Sequence, residues 1–463
     1  MNLRKILAVA VALAMVFGLM SGIAVAGNDD EEERPAAPAV ANRLLDEAGE
    51  DRRYGFGPNG GNYIRDVAQE MGPGADFDGI SKCEVDEYEV AVAEFLVEQG
   101  ADIEVPEPEP VPDEGEVINV TQDETYDAIQ AAVHEAEAGD EIHVGLGTYN
   151  EAVEIEEGLD GLILKGTDER PEVVSDAHGI RIVDVEDVSI KNFIVREAGG
   201  RGVYATRTDG ILVDNVLAEE NENDGIRVRE SVDATVKNSA SLRNNGDGIT
   251  FYSYGSVLNN EVGDNVERGI YHNGRSADSG TGHVTISGNE VYGNQMDHEW
   301  IDHHAAGIEV YAGRDGKHTL SAEVEDNILY DNKGNGILLY KVNHETGEGM
   351  VSDDNQSIVR GNKVYGTVDL DGKTPVGDGI LIYKSHYVLV EENEEDNNEH
   401  AGVRVTVDYK YDFSDEFPVE GNQVINNELT NNYYGVLIES GAEDTVVEGN
   451  TYEGNEVDEK YDY

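Results

Sequence analysis

Cysteine, tryptophan and basic residues are scarce in this sequence of 463 residues, which has one Cys, one Trp and 32 Lys plus Arg against 97 Asp plus Glu. Because Cys83 has no second cysteine to pair with, an intrachain disulfide is excluded, and packing, salt and ions have to supply the stability. The shortage of basic residues gives a formal net charge of -65. So acidic a chain argues against nucleic acid as a partner.

The acidic excess is spread over the whole chain and predicts an extremely halophilic source. In dilute buffer the repulsion between carboxylates opposes compaction, whereas at molar salt the Debye length falls to about 3 Å and screens it. The alternative, a disordered acidic protein, fits poorly because 39% of the residues are hydrophobic and recur with a clear period.

Residues 1–26 have the pattern of a cleaved secretory signal. Basic residues at positions 4 and 5 precede an apolar run over residues 6–20 and the small-residue stretch AVA at residues 24–26. Cleavage predicts a secreted or cell-surface protein without a membrane span. An uncleaved anchor is the alternative, because residues 6–26 carry no charge.

Three further segments precede the repeats. Residues 27–41 form an acidic lead segment, and residues 42–104 predict a small helical module because apolar residues recur at spacings of three and four. Residues 105–114 form a stiff Pro-rich linker. The only hint of a cofactor is calcium at DFDG (Asp76–Gly79), but the stretch lacks the further ligands of an EF-hand loop, and a turn before a helix is favoured.

One short pattern recurs from Asn192 to Asn455: an apolar strand, an Asn, a second Asn five or six residues later, and Gly-Ile or Gly-Val opening another strand. The turn glycines Gly202, Gly225 and Gly248 lie 23 residues apart. A unit this short has no room for a crossover helix, so the pattern predicts stacked rungs of one solenoid. An Asn at the same turn in every rung, as expected for Asn238, Asn289, Asn327 and Asn427, can hydrogen-bond to its copy about 4.8 Å away.

These rungs resemble the right-handed parallel β-helix of the pectin-lyase-like superfamily, in particular the NosD-type repeats of secreted carbohydrate-binding proteins and sugar hydrolases. The segment Tyr126–Ile155 also resembles the start of such domains, where an amphipathic helix, expected here near Tyr126–Ala138, caps the solenoid and a strand enters a G-T-Y turn. The resemblance covers residues 115–463 and implies an all-β solenoid of about ten or more rungs. One such fold hosts many activities, so the resemblance implies none in particular.

The rungs differ in length, and the longer ones predict where a site lies. The spacing between turn glycines rises to 38 residues between Gly269 and Gly307 and to 43 between Gly336 and Gly379. Loops inserted into a rigid scaffold commonly carry binding or catalysis, so the middle rungs are the predicted site. The extra residues fall in His272–His283, Gln295–Ala306, Ala312–Leu320, Val342–Gln356 and Thr367–Gly377.

An outward column of tyrosines is the predicted substrate-binding platform. If the first residue after each turn glycine points inward, the fourth points outward, which places Tyr252, Tyr311, Tyr340 and Tyr383 in one column. Tyrosine packing within the sheet explains the column equally well. The window Lys191–Arg275 has 10 basic and 13 acidic residues and is less negative than the whole chain, as an anionic polysaccharide requires. The further predicted binding residues are Tyr271, Arg227, Arg229, Lys341 and Lys384.

Histidines and arginines of the middle rungs are the predicted catalytic residues. Lyase chemistry on a uronic acid needs a cation beside the carboxylate and a base for the neighbouring ring proton, and His272, Arg275, His303 and His304 offer both. The string WIDH (Trp300–His303) resembles a pectate lyase signature, but its companion R-x-P-x-x-R pattern is missing. The zinc motif H-E-x-x-H is also absent, and no metal ligands are assigned. Hydrolysis by a carboxylate pair stays open, although the N-T-D and G-H-G signatures of polygalacturonases are missing.

The sequence therefore predicts a secreted or cell-surface protein that binds an acidic polysaccharide or surface glycan. If it is an enzyme, the predicted class is polysaccharide lyase. A non-enzymatic adhesin or structural envelope protein is the alternative. The oligomeric state does not follow from the sequence.

Overall fold

The computed structural model describes residue 97 and residues 110–274, 282–294, 306–312, 320–342, 356–368, 377–407, 419–442 and 444–462. Within these residues there are 36 short strands and one helix, and no helix is long and apolar enough to cross a membrane. The predicted signal, acidic lead segment and helical module lie outside the described residues, apart from Val97. The calcium hint at DFDG also lies outside them.

The elements in chain order up to the fifth turn glycine are β1 (Val117–Asn119), β2 (Glu124–Tyr126), α1 (Ile129–Glu135), β3 (Glu141–Val144), β4 (Thr148–Asn150), β5 (Val153–Ile155), β6 (Ile163–Gly166), β7 (Glu172–Val174), β8 (Ile180–Val183), β9 (Ser189–Arg196), β10 (Val203–Thr206), β11 (Leu212–Glu219), β12 (Ile226–Arg229), β13 (Ala234–Lys237), β14 (Ala240–Leu242), β15 (Ile249–Tyr252), β16 (Gly255–Leu258), β17 (Glu261–Gly263), β18 (Ile270–Asn273), β19 (Gly282–Ser287) and β20 (Glu290–Tyr292). The remaining strands are β21 (Ala306–Tyr311), β22 (Leu320–Glu325), β23 (Ile328–Tyr330), β24 (Asn335–Tyr340), β25 (Ser357–Arg360), β26 (Lys363–Tyr365), β27 (Ile380–Tyr383), β28 (Val388–Glu391), β29 (Glu394–Asp396), β30 (Ala401–Thr406), β31 (Gln423–Ile425), β32 (Glu428–Thr430), β33 (Tyr434–Glu439), β34 (Val446–Glu448), β35 (Thr451–Glu453) and β36 (Val457–Asp462).

Three faces run along the solenoid. Face 1 is a sheet of twelve strands, namely β5, β8, β10, β12, β15, β18, β21, β24, β27, β30, β33 and β36. Face 2 runs from β3 and β6 to β34, and face 3 from β4 and β7 to β35. These two faces belong to one sheet of 24 strands because β9 and β11 pass through both. Among the described strands, antiparallel pairing occurs only where β1 joins β2 and β3, and all other pairs are parallel. The predicted right-handed parallel β-helix is confirmed.

Alternation along each strand builds the core. In β12, Ile226 and Val228 point inward and are fully buried, while Arg227 and Arg229 point outward. Stacking the inward residues of successive rungs produces one continuous apolar core from Val117 to Ala442. The turn glycines keep neighbouring rungs close: a Cβ on Gly248 would lie 2.8 Å from the carbonyl oxygen of Gly269.

Two asparagine ladders line the bends on either side of face 3. In the first ladder and in the second as far as Asn332, the side-chain amide donates a hydrogen bond of 2.8 to 3.0 Å to the Oδ1 of its copy in the next rung. Beyond Asn332 the donors are the Thr367 hydroxyl and the backbone N–H groups of Asn398 and Asn432. The first ladder contains Asn260, Asn289, Asn327, Asn362, Asn393, Asn427 and Asn450. The second contains Asn221, Asn244, Asn265, Asn294 and Asn332, then Thr367, Asn398, Asn432 and Asn455.

The expectation that Asn238 belongs to the first ladder is wrong by one residue. Ser239 occupies the ladder position and donates its backbone N–H to Asn260 Oδ1 at 3.0 Å. Asn238 has the left-handed φ of 49° that recurs just before each ladder residue, as at Asp326 and Asn426. Asn, Asp and Gly tolerate this conformation best, which explains why the ladder asparagines follow one of these residues so often.

The predicted capping helix is present but shorter than expected. It spans Ile129–Glu135, whereas the expected range was Tyr126–Ala138. It buries Ile129, Ala132 and Val133 against the first strands. The Glu151 carboxylate accepts hydrogen bonds from the backbone N–H groups of Ile129 and Gln130 at 2.9 and 3.0 Å, which satisfies donors that a helix start leaves free.

Candidate functional site

The outer side of face 1 changes from rung to rung, in contrast to the repeated ladders. On each strand the second and fourth residues after the turn glycine point away from the core. The second-position column is Tyr204, Arg227, Thr250, Tyr271, Glu309, Leu338, Leu381 and Arg404. The fourth-position column is Thr206, Arg229, Tyr252, Asn273, Tyr311, Tyr340, Tyr383 and Thr406. The charged residues of these columns are Arg227, Arg229, Glu309 and Arg404, and the rungs between Glu309 and Arg404 carry leucine and tyrosine.

Arginine and tyrosine side chains contact one another at the N-terminal end of this surface. The guanidinium carbons lie 5.1, 4.9 and 4.0 Å from ring centroids in the pairs Arg201–Tyr204, Arg227–Tyr252 and Arg268–Tyr271. Such contacts are favourable because the ring face is electron-rich. We call this set the Arg–Tyr strip, and it consists of Arg201, Tyr204, Arg227, Arg229, Tyr252, Arg268 and Tyr271.

The outermost arginines of the strip are paired with carboxylates yet partly open to solvent. Arg201 Nε and Arg227 Nη1 lie 2.8 and 3.1 Å from the same oxygen of Asp224, and Arg229 contacts Glu230. The side chains of Arg201, Arg227 and Arg229 are 21%, 18% and 35% exposed. A guanidinium has five N–H donors, so donors remain for a ligand on the solvent side.

A buried ion cluster closes the other end of the strip. Arg268 Nε lies 2.6 Å from Glu309 Oε2, and its Nη1 lies 3.4 Å from Asp247 Oδ1, which also accepts the Arg268 backbone N–H at 2.9 Å. Burial raises the pKa of Asp247 to about 7 because its carboxylate loses water, while the charge of Arg268 opposes the rise. A carboxyl group whose pKa is raised by burial holds its proton more tightly than an ordinary Asp, as a general acid requires.

The predicted tyrosine platform forms, but its rings stack on one another. The centroid distances are 4.8 Å for Tyr311–Tyr340 and 4.7 Å for Tyr340–Tyr383, with interplanar angles of 9° and 11°. Both faces of Tyr340 are thus covered by tyrosines, and no sugar ring has room to stack there. Tyr340 and Tyr383 are also buried, at 6% and 2% exposed, against Leu338 and Leu381. The expectation of an open column is therefore wrong for these two residues.

Tyr252 differs from the stacked tyrosines. It meets Tyr271 edge to face, with an interplanar angle of 87° and a centroid distance of 5.2 Å, and it is half-buried. Burial raises the pKa of its hydroxyl to about 12, so the phenol is protonated at physiological pH.

The two predicted lysines lie along the tyrosine stack. Lys341 and Lys384 have left-handed φ values of 56° and 48°, and their amines lie 5.0 and 5.4 Å from the ring centroids of Tyr340 and Tyr383. Both side chains are buried. The structure therefore places them against the stack and away from the open surface.

The predicted catalytic histidine His272 lies inside the solenoid. Its ring is fully buried between the levels of Phe251 and Val310 and packs near Tyr254. Burial lowers its pKa to about 3, so the ring is neutral at physiological pH. An inward side chain has no access to a substrate on the outer surface, which corrects the expectation for His272. His303, His304 and Arg275 lie outside the described residues, as does the WIDH string.

A second charged cluster at the C-terminal end of the outer surface was missed by the sequence reasoning. His400 Nδ1 lies 2.6 Å from Asp378 Oδ1, and Arg404 Nη1 lies 3.5 Å from Asp378 Oδ2. Arg404 also donates from Nε and Nη2 to Glu439 Oε2 at 2.8 and 2.6 Å. The sequence does contain a signal for these charged clusters. In the tripeptide DGI, an aspartate stands directly before a turn glycine at Asp224, Asp247 and Asp378.

No group of three or more metal-ligating side chains occurs in the described ranges of the chain. The outer surface of face 1 thus offers two clusters of ionisable groups, one at Asp247 and one at Asp378, separated by stacked tyrosines. Such clusters can hold an ionic ligand or move protons.

A family model described as the right-handed beta helix region matches residues 178–345 and 278–460. The two matches together extend over more than half of the chain, which therefore belongs to this family. A search of curated proteins gave no significant sequence match.

Solved structures with a similar fold include enzymes that act on polysaccharides. The Azotobacter vinelandii mannuronan C-5 epimerase AlgE6 A-module is 16% identical, with a TM-score of 0.45, and the match covers 72% of this chain and 91% of that chain. An α-1,3-glucanase of family GH87 from Streptomyces thermodiastaticus is 15% identical, with a TM-score of 0.45 and coverage of 72% and 66%. Pectate lyase Pel9A is 15% identical, with a TM-score of 0.39 and coverage of 52% and 70%. Similarity at this level concerns the fold alone.

Proposed function

We propose that this protein binds an acidic polysaccharide on the outer surface of face 1, with the Arg–Tyr strip as the main contact. The observation that carries the proposal is the gathering of four arginines and three tyrosines in mutual contact on one side of a chain whose net charge is -65. Arginine pairs with carboxylate or sulfate groups, and tyrosine covers the apolar side of a sugar ring.

The charge balance of the Arg–Tyr strip makes it more favourable for an anionic ligand than most of the protein surface. Its four arginines face Asp224, Glu230, Asp247 and Glu309. Four positive charges balance four negative charges, so the strip is close to neutral. The other 93 of the 97 acidic residues make the rest of the chain more repulsive to a polyanion, so the strip is the favoured binding surface.

An exported protein from a halophile is part of the same proposal. The leader over residues 1–26 supports export, and a polysaccharide of the cell surface or surroundings is then within reach. The excess of carboxylates indicates that the protein folds at molar salt, because salt screens their mutual repulsion at all but direct contact distances. Recovery of a shortened mature chain from the culture medium or cell envelope tests export. Loss of the strand signal in circular dichroism as NaCl is lowered tests the salt requirement.

The binding proposal is tested with a panel of polygalacturonate, alginate and chondroitin sulfate, and with neutral dextran as the negative probe, all at molar NaCl. Acidic chains should bind and dextran should not. Arg227→Gln should weaken binding by about 1 to 3 kcal/mol, as loss of a central interface arginine usually does. Arg360→Gln is the matched control, because Arg360 is also an outward arginine paired with carboxylate groups but lies on face 2. Absence of binding to every acidic chain, or equal losses in both variants, would overturn the proposal.

Cleavage is a separate question that the same panel answers. Unsaturated products would assign polysaccharide lyase activity, and reducing ends without unsaturation would assign hydrolysis by carboxylates. Binding without products leaves a carbohydrate-binding protein.

A non-enzymatic adhesin or structural envelope protein is the second candidate. The face-to-face stacking of Tyr311, Tyr340 and Tyr383 favours it, because those rings stabilise the sheet and offer no open face to a sugar. Failure of the whole panel to bind would put this candidate first.

A further inference from the structure

The cluster around His400 lies on the same outer surface as the Arg–Tyr strip. Asp378 lies just before β27, and His400 lies just before β30. Arg268 of the Arg–Tyr strip lies just before β18. Along face 1, β18 and β27 are three strand spacings apart, with β21 and β24 between them. That separation is about 14 Å at the usual distance between neighbouring strands. One extended glycan chain is long enough to touch both clusters.

The solenoid itself does not require a histidine at position 400. The corresponding position, two residues before the turn glycine, is Gly246, Gly334 and Gly377 in other rungs. A rung therefore closes without any side chain there. His400 is partly open, with 19% of its side chain exposed.

The contacts of Asp378 fix the histidine ring in one orientation. Asp378 is fully buried, and its shortest side-chain contact is the 2.6 Å bond to His400 Nδ1. Because Nδ1 faces Asp378, Nε2 lies on the opposite side of the imidazole ring. The ring of Tyr434 from the next rung packs edge to face against His400 at 5.5 Å, which further restrains it.

The charge of the cluster depends on the protonation of His400. With a neutral imidazole, Arg404 faces the two carboxylates of Asp378 and Glu439, so among these side chains one negative charge is in excess. A proton on His400 brings the sum to zero. Among the described residues, Glu399 lies beside His400 in the chain, and Tyr434 of the next rung packs against the ring and is itself in contact with Tyr433.

We propose that His400, oriented by Asp378, is a second contact for the acidic polysaccharide and makes its binding stronger as the pH falls. In the protonated state Nε2–H donates to a carboxylate or sulfate group of the sugar chain. In the neutral state the cluster repels that group. This inference rests on the proposed binding function and assigns a pH-dependent contact to it.

The test measures the affinity of polygalacturonate oligomers at about pH 5 and about pH 8, which bracket the usual titration of histidine, in molar NaCl. The wild-type protein should bind more tightly at the lower pH by about tenfold or more, as expected for one hydrogen bond to a charged group. His400→Gln should lose most of this difference by binding weakly at both values. His400→Lys keeps a positive charge throughout and should bind more tightly than the wild type at about pH 8.

His283→Gln is the matched control. His283 also lies near a carboxylate, with Nε2 3.5 Å from Glu323, but it is exposed on face 2. Its replacement should leave the pH dependence unchanged, and circular dichroism checks that all variants are folded.

Two results overturn the inference in distinguishable ways. Binding that is sensitive to Arg227→Gln but has the same pH dependence in His400→Gln as in the wild type would remove the role of His400 and leave the proposed function standing. A wild-type protein without affinity for any acidic oligomer at either pH would remove both.

Discussion

The bends beside face 3 and the outer surface of face 1 show two different uses of the same repeat. At the bends the same amide recurs in successive rungs, and each copy bonds to the next. On the outer surface of face 1 the residue at one position changes from Arg227 to Thr250 to Tyr271 to Glu309. Repetition is what the solenoid needs to hold its register. Variation is not needed for the fold, so it indicates where the protein does its work.

The largest expected effect concerns the ladder. Asn327→Ala removes a buried side chain that donates to Asn362 Oδ1 and the Ile286 carbonyl, and that accepts from the backbone and side-chain amides of Asn289. We expect a loss of about 3 to 5 kcal/mol in the free energy of unfolding, because several buried groups lose their partners at once. Denaturant titration at molar salt measures it. Asn245→Ala, which removes an exposed Asn, should cost little. Similar losses for both variants would contradict the distinction between ladder and surface.

A smaller loss is expected for the buried ion cluster. Arg268→Met leaves Asp247 and Glu309 buried without their shared cation, which should cost about 3 kcal/mol. The same substitution at Arg207, whose pair with Asp184 is exposed, should leave the stability almost unchanged because solvent screens the pair. Chemical unfolding of both variants checks the difference. If Arg268→Met were as stable as the wild type, the charge of Arg268 would not be needed to neutralise these two carboxylates.

Acid sensitivity should follow from His272. The pKa of His272 in the folded state is about 3, which lies below the ordinary value of about 6.5. Its contribution to stability is therefore present above about pH 6.5 and is lost as the pH falls from about 6.5 towards 3. At about pH 5 this amounts to about 2 kcal/mol. His272→Phe should therefore be less sensitive to acid than the wild type, while His283→Gln should not differ from it. Parallel stability curves between about pH 7 and 5 would contradict the prediction.

Sensitivity in the opposite direction should come from Glu395. Its side chain is fully buried at a position occupied by Val364 and Leu429 in the neighbouring rungs, and burial raises its pKa well above the ordinary value. Its contribution is therefore present below about pH 4.5 and is lost as the pH rises. Glu395→Leu should raise stability by about 1 to 2 kcal/mol at neutral pH, whereas Glu394→Gln next to it should not. Thermal unfolding at two pH values measures both, and no gain for Glu395→Leu would contradict the assignment.

Much of the fold could be predicted from the sequence because rung contacts follow chain spacing. The spacing of the turn glycines and the alternation of inward residues such as Ile226 and Val228 were sufficient to predict the strand register of face 1. The ladder was misplaced by one residue at Asn238, because the left-handed residue and the ladder residue are both often Asn. A count of five residues between paired ladder positions, as from Asn260 to Asn265, would have corrected it.

The candidate site was less predictable for physical reasons. The outward register of Tyr340 follows from the sequence, but its burial and its stacking on Tyr383 depend on three-dimensional packing. His400 and Asp378 are 22 residues apart, and their contact arises only when two rungs are stacked. The inward direction of His272 does follow from the alternation, and applying the register to it would have removed it from the catalytic set.

The most direct test compares one outward tyrosine on face 1 with one on face 3. Tyr252 lies in the Arg–Tyr strip, and Tyr330 is also half-buried but stacks between Tyr292 and Tyr365 on face 3. The measurement is the affinity of polygalacturonate oligomers for Tyr252→Ala and Tyr330→Ala at molar NaCl. We predict that Tyr252→Ala weakens binding by about tenfold and that Tyr330→Ala leaves it unchanged. A loss confined to Tyr330→Ala, or equal losses in both variants, would contradict the assignment of binding to face 1.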